Sequence, residues 1–244
     1  MKSGIKAILF DLSDTLISYR PNYTTIYTDR LVAAGLERSN INISNLDRTI
    51  NDTISLNSYN KFYKGIAESD LQTMIDRVLL NQCLYSKENL NINMLLKKIS
   101  FVQMPNQTPY FVRGSIELLK ELSDYYKIGI VSNHSEWMYN YIANSSIQDY
   151  LSCLIISEMV GLEKPDPKIL EIAFSELNLL PEECCYVGDQ AIDVICAKKA
   201  GCMSILLKEK DYVLPEYCRD CKEDIRISSI SDMKLLVYKG TFTI

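Results

Sequence analysis

Short apolar runs punctuate this chain of 244 residues, each ending in polar or small residues. They are Ala7-Ile8-Leu9-Phe10, Ile128-Gly129-Ile130-Val131, Leu154-Ile155-Ile156, Cys185-Tyr186-Val187 and Ser204-Ile205-Leu206-Leu207. Each is apolar throughout and does not alternate, a pattern that predicts parallel strands covered on both faces. Between the later runs apolar positions recur at helical spacing, over Ser115 to Tyr126, Ser135 to Ala143, Pro167 to Leu177 and Ile192 to Ala200. Strand and helix alternate, so this part is expected to be α/β, a doubly wound, Rossmann-like parallel sheet. Ligands bind such sheets at the carboxyl ends of the strands, where Asp11 and Asp189 would lie.

The stretch 18–106 has a different period. Ser69-Asp70-Leu71-Gln72 is a capping-box signature, and Leu71, Met74, Ile75, Val78 and Leu79 follow at helical spacing. Leu46, Ile50 and Ile54 form a second stripe, and Tyr23 to Ala34 before Gly35 forms a third. Asn-rich connections such as Ser39-Asn40-Ile41-Asn42 separate them. The expectation is an α/β core domain of residues 1–17 and 107–244, interrupted by an all-helical cap domain of residues 18–106. Near the end of the chain, Ile225-Arg226-Ile227 suits an edge strand and Ser231 to Leu236 a short capped helix. Lys208 to Glu223 is charged and expected to be irregular.

Composition narrows the partners. With 47% hydrophobic and 23% charged residues the chain resembles an ordinary soluble globular protein. A formal net charge of -5 argues against a broad nucleic-acid surface, while leaving room for a local basic pocket that takes one phosphate. No apolar stretch is long enough for a bilayer, and Ala7 to Phe10 is too short for the apolar part of a signal peptide. The chain is therefore expected in the cytoplasm, with no membrane partner. Most of its eight cysteines stand in apolar runs and read as buried thiols. Cys218-Arg219-Asp220-Cys221 has the spacing of half a zinc site without a second pair, and is expected to be a surface loop.

Four clusters could carry chemistry: Asp11-Leu12-Ser13-Asp14-Thr15, Ser132-Asn133-His134, Lys164-Pro165-Asp166-Pro167, and Gly188-Asp189 with Asp193. An aspartate at the end of a buried strand, followed by a turn carrying a hydroxyl, can act as a nucleophile. Each residue also has an ordinary reading. Asp11 could cap the next turn, Lys164 could be a solvated loop lysine, Asp193 could favour a helix N-terminus, and Ser132-Asn133 is a common loop composition. His134, the only histidine, is tempting as an acid or base, but the favoured reading places it at the start of the helix through Trp137. The aromatic stretch Tyr59 to Lys64 could touch a substrate, and packing against the core is the favoured reading.

Taken in order, with an insertion after the first, the four clusters resemble the haloacid dehalogenase superfamily of aspartate-nucleophile hydrolases. Val160-Gly161-Leu162-Glu163-Lys164-Pro165-Asp166-Pro167 and Tyr186-Val187-Gly188-Asp189, followed by Asp193 and Ala200-Gly201, are the specific matches. The resemblance implies that Asp11 attacks phosphorus and becomes an aspartyl phosphate, with Lys164 supplying positive charge. It implies Mg²⁺ held by Asp11, the backbone carbonyl of Ser13 and Asp189, an oxygen set that suits a hard cation. Asp193 would hold ligand waters or orient the metal loop. Thr15, Ser132 and backbone N–H groups around Asn133 would bind phosphoryl oxygens. The implied substrate is a small phosphorylated metabolite that a helical cap can enclose.

One position departs from the pattern. Family phosphatases usually carry a second aspartate where Ser13 stands, to protonate the leaving group and later activate water, a contribution of about 10²- to 10⁴-fold. The glycine usual at the next position is replaced by Asp14. Three accounts remain open. The first is a slow or specialised Mg²⁺-dependent phosphatase in which Asp14, His134, a cap residue or a good leaving group replaces the lost acid. The second is a phosphonate C–P hydrolase, with Lys61 or Lys64 forming a Schiff base, or a dehalogenase-like enzyme, although an intact Asp189 speaks against dehalogenation. The third is a catalytically weak descendant that binds a phosphorylated ligand or a protein.

Overall fold

The computed structural model describes residues 4–65, 68–218 and 220–238, with backbone alone at 68–72 and 238. The capping box at 69–72, Leu71 included, and Arg219 therefore lie outside the described side chains. In chain order the first elements are β1 (Ala7–Phe10), β2 (Ile17–Arg20), α1 (Tyr23–Ala33), α2 (Ile43–Lys64), α3 (Glu68–Gln82) and α4 (Ile92–Ser100). There follow β3 (Thr108–Phe111), α5 (Ser115–Ser123), β4 (Lys127–Ser132), α6 (Glu136–Ala143), β5 (Leu151–Ile156) and α7 (Ser157–Val160). The last are α8 (Lys168–Leu177), β6 (Cys184–Gly188), α9 (Ala191–Ala200), β7 (Met203–Leu207), β8 (Ile225–Ile227) and α10 (Met233–Tyr238). Two compact units result, Met1–Ser18 with Phe111–Ile244, and Tyr19–Tyr110.

The first unit is built on a six-stranded sheet in the order β5-β4-β1-β6-β7-β8, every adjacent pair parallel. Its strands are apolar because both faces are covered: Ala7, Ile8, Leu9 and Phe10 of β1 and Cys184 to Val187 of β6 are all buried. Leu9 faces Gly129 on one side and Tyr186 on the other. A Cβ at Gly129 would stand 2.5 Å from both Leu9 Cδ2 and Cys153 Sγ, so the middle of β4 requires a glycine. The apolar face of α8, with Ile169, Leu170, Ala173 and Phe174, packs into the same core as Leu9, Val131 and Ile155. β5 and β8 are the edge strands, and β2 pairs with β3 in a separate two-stranded sheet.

The second unit is helical. Asn22, Asn42 and Asn91 each accept a hydrogen bond from a backbone N–H of the first turn of α1, α2 and α4, which explains the Asn-rich connections. Leu31, Leu46, Ile50, Leu79, Leu80 and Ile99 form its core. Arg30 and Asp76 are paired at 3.0 Å inside it, and Arg30 also donates to the carbonyl of Ile99. At the end of α2 the expectation of packing holds for Asn60, which is buried, and fails for Phe62 and Tyr63, which are exposed with their rings in contact at 4.8 Å between centroids. Cys218 also departs from expectation, since it is buried with its thiol directed to the carbonyls of Ala191 and Cys221. Among the described residues, no helix is long and apolar enough to cross a membrane.

Candidate active site

Four neighbouring strands, β4, β1, β6 and β7, end side by side, and each ends on a polar residue or is followed directly by one. Ser132 closes β4, Asp11 follows β1, Asp189 follows β6 and Lys208 follows β7. Such a row at the carboxyl edge of a parallel sheet is where ligands bind doubly wound folds. Asp11 is anchored by its own amide, which donates to Val187 O at 2.8 Å. The turn beyond it is closed by the amides of Thr15, Leu16 and Ile17, which all donate to Leu12 O. Those amides therefore do not need the Asp11 carboxylate as a cap.

Asp14 takes the left-handed conformation, φ 54°, at the position where glycine is usual. Aspartate is among the few side chains that enter this region at modest cost. Its Oδ1 accepts from Ser18 Oγ at 3.3 Å, so its carboxylate is engaged within the loop. Thr15 is fully buried and its hydroxyl has no hydrogen-bond partner, while Ser13 is half-buried.

Lys164 is the centre of the cluster. Its side chain is 2% exposed, and its ammonium lies 2.8 Å from Asp11 Oδ1, 2.7 Å from Asp193 Oδ1 and 2.9 Å from the Tyr186 hydroxyl. The approach to Asp11 is a charge contact off the hydrogen-bonding angle, since Asp11 Oδ1 has no hydrogen-bond partner. The loop-lysine reading is thus replaced by a buried ammonium with three oxygen neighbours. Burial opposes its charge, but the carboxylates of Asp11 and Asp193 more than offset this and hold its pKa above the ordinary lysine value.

The backbone of Lys164 is clamped by Asn133. Asn133 Oδ1 accepts from Lys164 N at 2.7 Å and its Nδ2 donates to Lys164 O at 2.9 Å. The Asn133 side chain therefore holds the lysine rather than facing a ligand. His134 is equally engaged: its Nδ1 accepts from Ser135 N, its amide donates to Ser157 Oγ, and its ring stands edge-on to Trp137 at 4.9 Å. Burial lowers its pKa, with Asp11 and Glu158 opposing.

Asp193 does two things at once. Its Oδ2 accepts from Gln190 N, which caps α9, while Oδ1 meets Lys164. The close approach is possible because residue 188 is glycine: a Cβ there would stand 2.3 Å from Asp193 Oδ2. Burial pushes the Asp193 carboxyl above the usual range, against the pull of Lys164. Burial likewise pushes Asp189 up to about 6, with Lys208 opposing from 3.2 Å.

Asp11, Asp189 and Asp193, all buried, each bring one oxygen within 4.8 Å of the others. Asp189 Oδ1 is buried with no hydrogen-bond partner among the described residues. An oxygen-only donor set of this kind suits a small hard cation. The structure thus brings Asp11, Lys164, Asp189 and Asp193 into one cluster, sets Ser132 at the end of the strand beside Asp11, and gives Asn133 a supporting task. Two participants escape a reading by sequence pattern. Tyr186 looks like one more apolar strand residue, and Lys208 is one lysine in a charged run. The signal for Lys208 is its place directly after an apolar strand.

Known proteins share this arrangement of sequence. A protein of Drosophila melanogaster named rhythmically expressed gene 2 protein is 33% identical over 138 residues, 52% of this chain and 53% of its own length. The match thus spans about half of that relative. Glyceraldehyde 3-phosphate phosphatase of Pyrococcus abyssi is 27% identical over 215 residues, 84% of this chain and 82% of that protein. A haloacid dehalogenase-like hydrolase from Bacteroides fragilis has a crystal structure with the same fold, at a TM-score of 0.59 and 22% identity, covering 94% of this chain and 99% of that one. The sequence profile of the haloacid dehalogenase-like hydrolases matches residues 8–207, from inside β1 to the last residue of β7, and the chain belongs to that family.

Proposed function

We propose that the protein is a Mg²⁺-dependent phosphatase of small phosphorylated metabolites, with Asp11 as the nucleophile. The observation that carries this reading is the buried Lys164 ammonium shared by Asp11 and Asp193, beside an Asp189 oxygen with no partner. A buried carboxylate oxygen left without a partner is costly, and a divalent cation would satisfy it. Asp11, Asp189 and the carbonyl of Ser13 would hold Mg²⁺. Bound there, the ion would supply the positive charge against which an anionic nucleophile can approach an anionic phosphoryl group. The 27% identity to an archaeal glyceraldehyde 3-phosphate phosphatase over most of both chains supports a sugar-phosphate-sized substrate.

In this reading the Asp11 carboxylate attacks phosphorus, the ester oxygen leaves, and water later hydrolyses the aspartyl phosphate. Lys164 keeps Asp11 in place, and Asp193 keeps Lys164 in place. Ser132, Thr15 and backbone N–H groups take the phosphoryl oxygens, and the helical unit of residues 19–110 serves as the cap that selects the substrate. Ser13 has no proton to give near neutral pH, so the departing oxygen leaves unassisted. Turnover should be slow and should favour esters of acidic alcohols or phenols. Carbon–halogen cleavage by this family needs no cation, and the partnerless Asp189 oxygen argues against it.

Hydrolysis of an aryl phosphate with and without Mg²⁺ tests the proposal, with Asp11→Asn as the blank. Metal-dependent turnover that vanishes in Asp11→Asn supports it, and Ser13→Asp should raise the rate toward alkyl phosphates. Absence of metal-dependent turnover on aryl and metabolite phosphates, in both the natural chain and Ser13→Asp, overturns it in favour of a binding role.

A further inference from the structure

Lys208, at the carboxyl edge of the sheet, is a cation to which the family pattern gives no task. Its Nζ lies 3.2 Å from Asp189 Oδ2, and the two side chains are 19% and 2% exposed. The oxygen of Asp189 that Lys208 does not hold, Oδ1, is the one left without a hydrogen-bond partner.

The lysine is also held in place. Its backbone N–H donates to Ile227 O at 2.9 Å, tying it to the edge strand β8. Its ammonium stands 5.5 Å from the centre of the Tyr212 ring, and the guanidinium of Arg226 stands 6.0 Å from the same ring. From β8, Arg226 donates to the carbonyls of Glu209, Lys210 and Tyr212, so the irregular segment after β7 is stapled in a defined course. An exposed lysine swinging in solvent would need none of this.

We propose that Lys208 is a positioning residue for the cation site: by holding Asp189 Oδ2 it presents Oδ1 alone, and makes Asp189 a one-oxygen ligand. The inference rests on the metal reading of the preceding section. Mg²⁺ demands a nearly ideal octahedron and takes few carboxylate oxygens, so a carboxylate free to rotate or to offer both oxygens is a poor ligand for it. Groups that orient a ligating carboxylate from outside are typically worth 10- to 100-fold in metal affinity. Lys208 also offsets one of the three buried carboxylates, as Lys164 offsets another.

The test is calorimetric titration of the full chain with MgCl₂, comparing the natural protein with Lys208→Met, Lys208→Gln, Lys208→Arg and Asp189→Asn, each checked for its fold by circular dichroism. Lys208→Met should weaken Mg²⁺ binding by about tenfold or more, Lys208→Gln should do the same, and Lys208→Arg should restore most of the loss. Whichever of the two neutral variants retains the fold decides. Unchanged or tighter binding in that variant, while the natural protein binds and Asp189→Asn does not, overturns the role of Lys208 and leaves the metal reading standing. No heat of binding in the natural protein, or equal binding by Asp189→Asn, overturns the metal reading and the role of Lys208 with it.

Discussion

Asn133 grips Lys164 by both ends of its peptide unit, accepting from the lysine N–H at 2.7 Å and donating to its carbonyl at 2.9 Å. An amide side chain has one acceptor and two donors, and here it mimics a strand neighbour for a loop residue that has none. The ammonium that meets Asp11 and Asp193 is therefore set from the end of β4, 31 residues away in sequence.

Asn133→Ala should remove both bonds and let Lys164 drift. We expect a stability loss of about 1–3 kcal/mol and, since misplacement near 1 Å costs catalysis about 10²-fold, a fall in turnover of that order. Urea denaturation and aryl phosphate kinetics measure the two effects. Full activity in a destabilised protein would mean that Asn133 serves the fold alone.

Tyr186→Phe removes a buried hydroxyl that accepts from Lys164 Nζ at 2.9 Å and donates to Val131 O at 2.7 Å. The ring still fills its place, so packing is kept, but two buried polar groups lose a partner. About 2 kcal/mol should be lost, a drop of roughly 4–8 °C in Tm for a chain of this size. Scanning calorimetry reads it directly, and an unchanged Tm would show that water replaces the hydroxyl.

Gly188→Ala places a Cβ 2.3 Å from Asp193 Oδ2 and 2.4 Å from its Cγ. Asp193 cannot retreat without leaving both Lys164 and the cap of α9. Overpacking and a broken buried ion pair together should cost about 4 kcal/mol or more. A variant as stable as the natural chain in denaturant would contradict this packing.

Asp224 supplies an acid-sensitive contact. Burial pushes its carboxyl up, but hydrogen bonds from Lys198 and from the backbone and hydroxyl of Ser204 outweigh this and hold it below the usual range. A depressed folded pKa means that the contribution is complete above the unfolded value of about 3.9 and disappears as the pH falls through the folded one. The side chain is 38% exposed, so screening limits the effect to about 1 kcal/mol or less. The stability gap between the natural chain and Asp224→Asn should be open at pH 7 and close as the pH falls through the depressed folded value. A gap that stays constant would remove Asp224 from the acid limb.

The thiols should be inert in the folded protein. Seven of the eight cysteines are buried, and burial pushes Cys153, Cys184 and Cys218 up to about 12. Cys221, only half-buried, should be the one thiol that reacts promptly with an aromatic disulfide reagent, the rest following on unfolding. Prompt reaction of several thiols would show that the sheet opens on that timescale.

The five core strands and the helices between them were legible because strands covered on both faces must be apolar throughout. Strand order was not, since an apolar run carries no label for its neighbours. β2 escaped notice because Ile17 and Tyr19 alternate with half-exposed Ser18 and exposed Arg20 over only four residues. α4 was legible too, with Ile92, Leu95, Leu96 and Ile99 at helical spacing, and only its shortness, nine residues, set it apart from the longer stripes around it. At the site, the residues that meet Lys164 by charge stood in a recognisable order. Asn133 and Tyr186 stood in the same clusters, but their contacts with Lys164 did not show: one works through its amide, the other through one hydroxyl on an otherwise apolar ring. Lys208 was hidden by its charged neighbours, and only the end of β7 distinguishes it from them.

The loop after β1 has a consequence of its own. Asp14 at φ 54° holds a conformation that costs a residue with a Cβ about 1 kcal/mol, and three successive amides share the carbonyl of Leu12. The loop is thus wound against local preference and kept there by its surroundings. Its entropy was surrendered when the chain folded, so Asp11 is already ordered before any ligand arrives, and binding has no loop to freeze. The order of Asp11 is thus held by the loop around it, through a shared carbonyl at Leu12 that need never touch a ligand.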